Sequence, residues 1–101
     1  MLIVVAVLKA KEGREKDMEE ALKRVVPLVA AEEGTLMYTL HRAKKDPTKF
    51  LFYEKYTGKE ALGAHSSTPY FMEMFGAIAP YLDGDPSIEI YEELASIPVK
   101  G

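Results

Sequence analysis

Glu54 and His65 are the two side chains in this sequence best suited to moving a proton. Glu54 stands in the run Phe50 to Tyr56, where strand periodicity turns Phe50, Phe52, Glu54 and Tyr56 to one side. Leu51, Tyr53 and Lys55 turn to the other. A carboxylate enclosed by aromatic rings is disfavoured in its charged form, which lifts its pKa toward the range where a general base or acid works best. The plainer reading is a glutamate paired with Tyr38 or a helix cation and doing no chemistry. His65 lies near the end of a short predicted helix after that strand, and imidazole is the side chain made for proton exchange near neutrality. If the helix folds back on the strand, imidazole and carboxylate line one pocket. Otherwise His65 is a hydrogen-bonded residue at a helix end. Tyr38, Phe52, Tyr56, Tyr70, Phe71 and Phe75 supply rings and phenols that could hold a small aromatic molecule, although such stripes also serve as ordinary core. His41 falls on the opposite strand face, near a hairpin end.

The elements that must position these groups follow from the pattern. Leu2 to Leu8 is apolar at every position, a strand expected to be covered on both faces, one by helices and the other by a second copy of the sheet. A helix is predicted from about Arg14 to Glu33, with Met18, Leu22, Val25 and Val29 as its core stripe and Ala21 and Leu28 widening it. Pro27 should kink it, and Gly34 should end it. Thr35 to Arg42 and Lys49 to Tyr56 read as a hairpin turning through Ala43–Thr48. If Arg42 pairs near Phe50, Tyr38 falls opposite Glu54, within reach of a phenol–carboxylate hydrogen bond. Thr57 and Glu60 have the spacing of a capping box, and Thr68-Pro69 that of a cap followed by a first-turn proline. The last helix carries Phe71, Phe75, Ile78 and Leu82 and is stopped by Asp83-Gly84-Asp85-Pro86. Ser87 to Glu92 reads as a strand, and Glu93 to Gly101 as a tail able to reach a partner subunit. The order β-α-β-β-α-β, its second helix split, is the ferredoxin-like α+β arrangement.

Composition narrows the function. One domain over residues 1–101 is the natural reading of this length. Such a chain buries only about 60–68% of its unfolded surface, so a second subunit would help it. A net charge of −3 argues against nucleic acid as a partner. The absence of cysteine excludes disulfides, thiolate metal sites and a cysteine nucleophile. Two histidines on different elements, without a ligand spacing, give no support for a metal site. The apolar N-terminus is short and alternates into Lys9 and Lys11, so it reads as a buried strand, neither a signal peptide nor a membrane span, and the expected location is cytoplasmic. Asn, Gln, Cys and Trp are all missing while Glu and Lys abound, a bias that fits a thermophilic source.

The string E-x-Y-x₅-L-x-A-H-x₂-[ST]-P-x-F, here Glu54 to Phe71, preceded by the segment EEGTLMYTLHR from Glu32 to Arg42, resembles the antibiotic biosynthesis monooxygenase domain. The similarity runs from the first strand to Tyr91. The resemblance implies a dimeric α+β barrel and, from its quinol-oxidising members, a pocket between sheet and helices that uses no metal, flavin or haem. There a substrate phenol loses its proton and the anion itself reacts with oxygen. By the same resemblance Glu54 and His65 fall on the strand carboxylate and helix histidine of that pattern. Tyr70 departs from it, standing where those sequences often carry a second histidine. Haem-degrading relatives place asparagine, tryptophan and histidine where this chain has Ala6, Tyr56 and Phe75, so the resemblance does not extend to haem chemistry. Two functions stay open: a cofactor-independent monooxygenase on a small quinol or phenol, or a non-catalytic, stress-associated binding dimer on the same fold.

Overall fold

In the computed structural model, which describes residues 1–100, alternation along Asp46–Tyr56 decides how the chain is layered. Phe50, Phe52, Glu54 and Tyr56 are buried, while Leu51, Tyr53 and Lys55 between them are only half-covered. This strand, β3, is flanked by β1 (Leu2–Lys9) and β2 (Thr35–Ala43), and β4 (Ser87–Glu92) pairs on the far side of β1. All neighbours are antiparallel, in the order β2-β3-β1-β4. Helices α1 (Glu15–Val29), α2 (Lys59–Ser66) and α3 (Pro69–Ile78), with a 3₁₀ turn at Ala79–Tyr81, complete the ferredoxin-like α+β arrangement. No helix among the described residues is long and apolar enough to cross a membrane.

The register places Arg42 opposite Phe50 and Tyr38 opposite Glu54, as the alternation predicts. Residues directly opposite share a face, so Val4, Ala6 and Leu8 join Phe50, Phe52 and Glu54 under the helices. Met18, Ala21, Leu22, Val25 and Val29 of α1 and Met74 and Ile78 of α3 cover much of that face. The core is therefore one apolar layer between helices and sheet. The opposite face carries Val5, Val7, Leu51 and Tyr53, none of them fully covered. Ile3, opposite Lys55 and Tyr91, is buried on that face, so within one chain the double burial expected for β1 is met along the helix side and at Ile3 alone on the other.

Several boundaries differ from the sequence reading. Helix α1 stops at Val29, two residues after Pro27, and not at Glu33. Proline removes one donor and crowds the preceding turn, so the helix closes shortly after it. Glu32 is thereby freed from helical geometry. Leu28 is half-exposed and does not widen the core stripe. The hairpin turns at Lys44-Lys45, with Asp46 and Pro47 already in β3, and Asp46 Oδ1 accepts from the Thr48 amide at 3.0 Å. Thr57 does not cap α2: Gly58 is the N-cap and no side chain bonds there. Thr68 does cap α3, its Oγ1 accepting from the Phe71 amide at 3.3 Å. Leu82 lies beyond α3 and bridges to Ala10. Of the predicted tail, Gly101 lies outside the described residues.

Gly34 holds the α1–β2 connection against α2. A Cβ placed on it would sit 2.4 Å from the Ala61 Cβ and 3.3 Å from Thr57 Oγ1. The Thr57 amide also donates to the Gly34 carbonyl at 2.9 Å. Gly34→Ala must push α2 away, at about 1–3 kcal/mol, a fall in thermal midpoint of roughly 5–20 °C. Gly63→Ala meets nothing within 4 Å and should be neutral or slightly stabilising. Equal midpoints for the two variants would refute the close approach.

Candidate functional site

A cavity of about 80 Å³ opens between the helix-side sheet face and helices α2 and α3. Val4, Ala6 and Leu8 of β1, Tyr38 of β2, and Phe52 and Glu54 of β3 form its floor. Leu62, His65 and Ser66 of α2 and Phe71, Met74 and Phe75 of α3 form its roof, and Pro86 and Ile88 border it at β4. Its size suits several waters or one small ring, and its walls are mostly hydrocarbon, as ligand pockets usually are.

Glu54 reaches the cavity because it shares the parity of Phe50 and Phe52. It is 6% exposed. Its carboxyl accepts a hydrogen bond from the Tyr56 hydroxyl at 2.5 Å, two residues along the same strand face. Tyr38, although opposite Glu54, makes no hydrogen bond to it; the expected pairing is taken by Tyr56. Burial pushes the Glu54 carboxyl up to about 7; the Tyr56 hydroxyl works against this, and the nearby Glu32 charge adds to it. Burial also raises both phenols well above the ordinary tyrosine value, with the carboxylates reinforcing the shift.

His65 is positioned by the end of α2. The hydroxyl of Thr68, which caps α3, donates to the His65 carbonyl at 2.8 Å, tying the two helices together at this residue. The imidazole is 1% exposed and packs among rings: Tyr38 at 5.0 Å, Tyr56 at 5.6 Å, and Phe71 edge-on at 5.0 Å between centroids. Its Nδ1 lies 3.0 and 3.1 Å from the two carboxylate oxygens of Glu32. Its Nε2 is buried and has no hydrogen-bond partner.

Glu32 is the member of this cluster that sequence reasoning missed. It stands in the acidic run Glu32-Glu33, which by composition reads as solvated surface. The Thr35 hydroxyl donates to its Oε1 at 2.7 Å, and the Tyr70 hydroxyl donates to its Oε2. Burial would raise the Glu32 carboxyl, but hydrogen bonds from Tyr70, Thr35 and His65 outweigh it and hold the group below the usual carboxylate range.

The eight residues singled out from sequence thus fall into two sets. Glu54, His65, Tyr38, Phe52, Phe71 and Phe75 line the cavity. Tyr56 and Tyr70 do not line it; each is a hydrogen-bond donor behind it, to Glu54 and to Glu32. His41 is on the open sheet face, against Thr39 Oγ1 at 3.1 Å. Among the described residues no three His, Cys, Asp or Glu side chains gather as metal ligands.

Comparison with known proteins agrees with this architecture. Residues 1–77 match the model of the family described as antibiotic biosynthesis monooxygenase. A solved structure from Caulobacter crescentus CB15, assigned to the antibiotic biosynthesis monooxygenases, is 30% identical. It superposes with a TM-score of 0.87, covering 93% of this chain and 90% of that one. A structure with the same assignment from Nitrosomonas europaea superposes with a TM-score of 0.91 over 94% of this chain and 100% of that one. At 21% identity that likeness is one of fold. A curated relative, the uncharacterized protein sll1783 of Synechocystis, is 24% identical over 91 residues. The match spans 90% of this chain but only 62% of that relative's length.

The raised Glu54 carboxyl has a consequence for stability. A carboxyl whose pKa is higher folded than unfolded costs nothing below about pH 4.5, and its penalty grows as pH rises to about 7. Above that it amounts to roughly 3 kcal/mol. Glu54→Gln removes the charge and keeps an acceptor for Tyr56. It should therefore melt with the parent at about pH 4 and clearly above it at about pH 8. Parallel melting curves at both pH values would refute the shifted carboxyl.

Proposed function

The chain belongs to the antibiotic biosynthesis monooxygenase family, and from that premise we propose that it is a cofactor-independent monooxygenase acting on a small quinol or phenolic ring. The observation that carries this reading is Glu54, a carboxyl pushed up to about 7 in the wall of an apolar cavity. A group with that pKa changes protonation state under ordinary conditions, which is what a general base for a phenol needs. A ring lying between Phe52 and Phe71/Phe75 would present its hydroxyl to Glu54 or His65. The base takes the phenolic proton, and the electron-rich phenolate reacts with dioxygen. For a quinol the balance closes: one oxygen atom becomes a ring hydroxyl, the other leaves as water, and the quinol ends as a hydroxyquinone. The chain's contributions are deprotonation, orientation of the ring and exclusion of bulk water.

Oxygen uptake with a panel of hydroquinones tests the reading. Glu54→Ala should lower turnover by about 10²–10⁴, the usual worth of general-base assistance, and His65→Ala by as much or less. In the parent the rate should rise with pH through about 7 and then level, because the base works when deprotonated. Unchanged uptake in a Glu54→Ala/His65→Ala double variant would leave the cavity as a binding site only.

The same reading includes a homodimer joined through the open sheet face. Val5, Val7, Leu51 and Tyr53 form an apolar centre there, and β4 is exposed along its whole length. Beyond it Leu94, Ile97 and Val99 are 92%, 72% and 93% exposed, a tail rich in apolar side chains that has nothing to cover in its own subunit. Light scattering at micromolar concentration should report twice the chain mass of 11.3 kDa. A monodisperse monomer would refute the dimer.

A further inference from the structure

Glu32 can only accept hydrogen bonds while it is ionised, and three groups converge on it: the Thr35 hydroxyl, the Tyr70 hydroxyl and the Nδ1 of His65. The first two hold the carboxylate in place from outside the cavity. Facing an acceptor, Nδ1 must carry the ring proton. In the neutral imidazole the other nitrogen then bears a lone pair. That nitrogen, Nε2, is on the side of the ring away from Glu32, in a residue that lines the cavity, and it has no partner among the described residues. Buried polar atoms are nearly always satisfied, so this enclosed orphan in a cavity-lining residue calls for a partner, which a ligand hydroxyl can supply from the cavity once the neighbouring rings yield to it.

We infer that Glu32, locked by Thr35 and Tyr70, is a positioning residue that fixes His65 as the Nδ1–H tautomer, so that Nε2 accepts a hydrogen bond from a ligand hydroxyl. The cavity then selects a ring that carries a hydroxyl over one that carries only ether or carbonyl oxygen. A carbonyl or ether would set lone pair against lone pair, leaving Nε2 unsatisfied. For the oxidation proposed above, on which the inference rests, this favours entry of the reduced ring, whose two oxygens both donate; in the hydroxyquinone those two have become carbonyls and the one hydroxyl sits on a different ring carbon. Tyr70 gains a purpose as well: it supplies a hydroxyl that anchors Glu32.

The test uses the whole protein with phenol and anisole as probes, since the two differ in whether the oxygen can donate. Imidazole ¹⁵N NMR of the ligand-free protein at pH 8 should show His65 protonated at Nδ1 and unprotonated at Nε2. Phenol should bind about tenfold or more tightly than anisole, the usual worth of satisfying a buried acceptor. Glu32→Gln should blur the tautomer pattern and bring the two affinities within about threefold of each other. Tyr70→Phe, which removes a single hydroxyl and keeps the ring, should move both readouts the same way by less. A purely structural role for Glu32 would lower the melting point without changing the phenol-to-anisole ratio, and that result overturns the inference. So does a parent protein with the proton on Nε2. Phenol selectivity without oxygen uptake would leave the inference standing and remove the oxidation reading. Binding of neither probe would remove both.

Discussion

Enclosing Glu54 is the constraint to which the rest of the structure answers. A carboxyl under an apolar sheet face, with one neutral hydrogen bond from Tyr56, is in poor surroundings for a charge. The parity of β3 leaves no alternative. Phe50 and Phe52 must face the helices to fill the core, and Glu54 and Tyr56 follow because side chains on a strand repeat every second residue. A slip of one residue would expose the glutamate and bury Tyr53 and Lys55 in its place, at the cost of the aromatic core. The charge-averse position is thus secured by the same pairing that makes the core. Core packing and the raised carboxyl cannot be separated at this strand.

Much of this was legible because it is local or periodic. The two-residue repeat of β3, the partner parity of β2 and the Thr68-Pro69 start of α3 each show in a few adjacent residues. The Tyr38–Glu54 register was readable for the same reason, since it follows from matching two alternations. The choice of hydrogen-bond partner was not, because it depends on side-chain reach within a face, and Tyr56 along the strand wins over Tyr38 across it. Glu32 was invisible for a different reason. Its importance comes from His65, 33 residues away, and from a helix that ends early after Pro27. Nothing within a window around Glu32 distinguishes it from Glu33, which is exposed to solvent. The Thr57 capping box fails through competition as well, since Gly34 packs so closely that Thr57 is held by the Gly34 carbonyl.

The fold also explains why the cavity sits where it does. Helix α1 presents a continuous stripe and seals its part of the sheet, whereas α2 is short and α3 buries only Met74 and Ile78. Phe71 and Phe75, one helical turn apart and stacked edge to face at 4.9 Å, stay half-covered at the cavity. Two short helices joined at His65 and Thr68 cannot cover the sheet as one long helix would, and the void lies under their junction. Large rings around a small space resist collapse, because filling it would drive them from their preferred rotamers.

Two carboxyls near one imidazole have been driven in opposite directions, and this division gives the site its polarity. Glu32, with three donors, keeps its charge; Glu54, with one, is pushed up to about 7 by burial and, further, by that same Glu32 charge. Environments that separate the pKa values of neighbouring acids assign them different tasks. The low one behaves as a fixed charge that can orient the imidazole, and the high one as a group able to take or give a proton under ordinary conditions. Tyr70 and Tyr56 are each a phenol aimed at one carboxyl from behind the cavity wall: Tyr70 helps lower Glu32, whereas Tyr56 works against the raised Glu54 without overcoming its burial. Their burial differs, and with it the outcome: Tyr56 is fully enclosed with Glu54, while Tyr70 and Glu32 keep some contact with water. A charge stable beside water and a proton retained away from it are the arrangement that dielectric alone would choose.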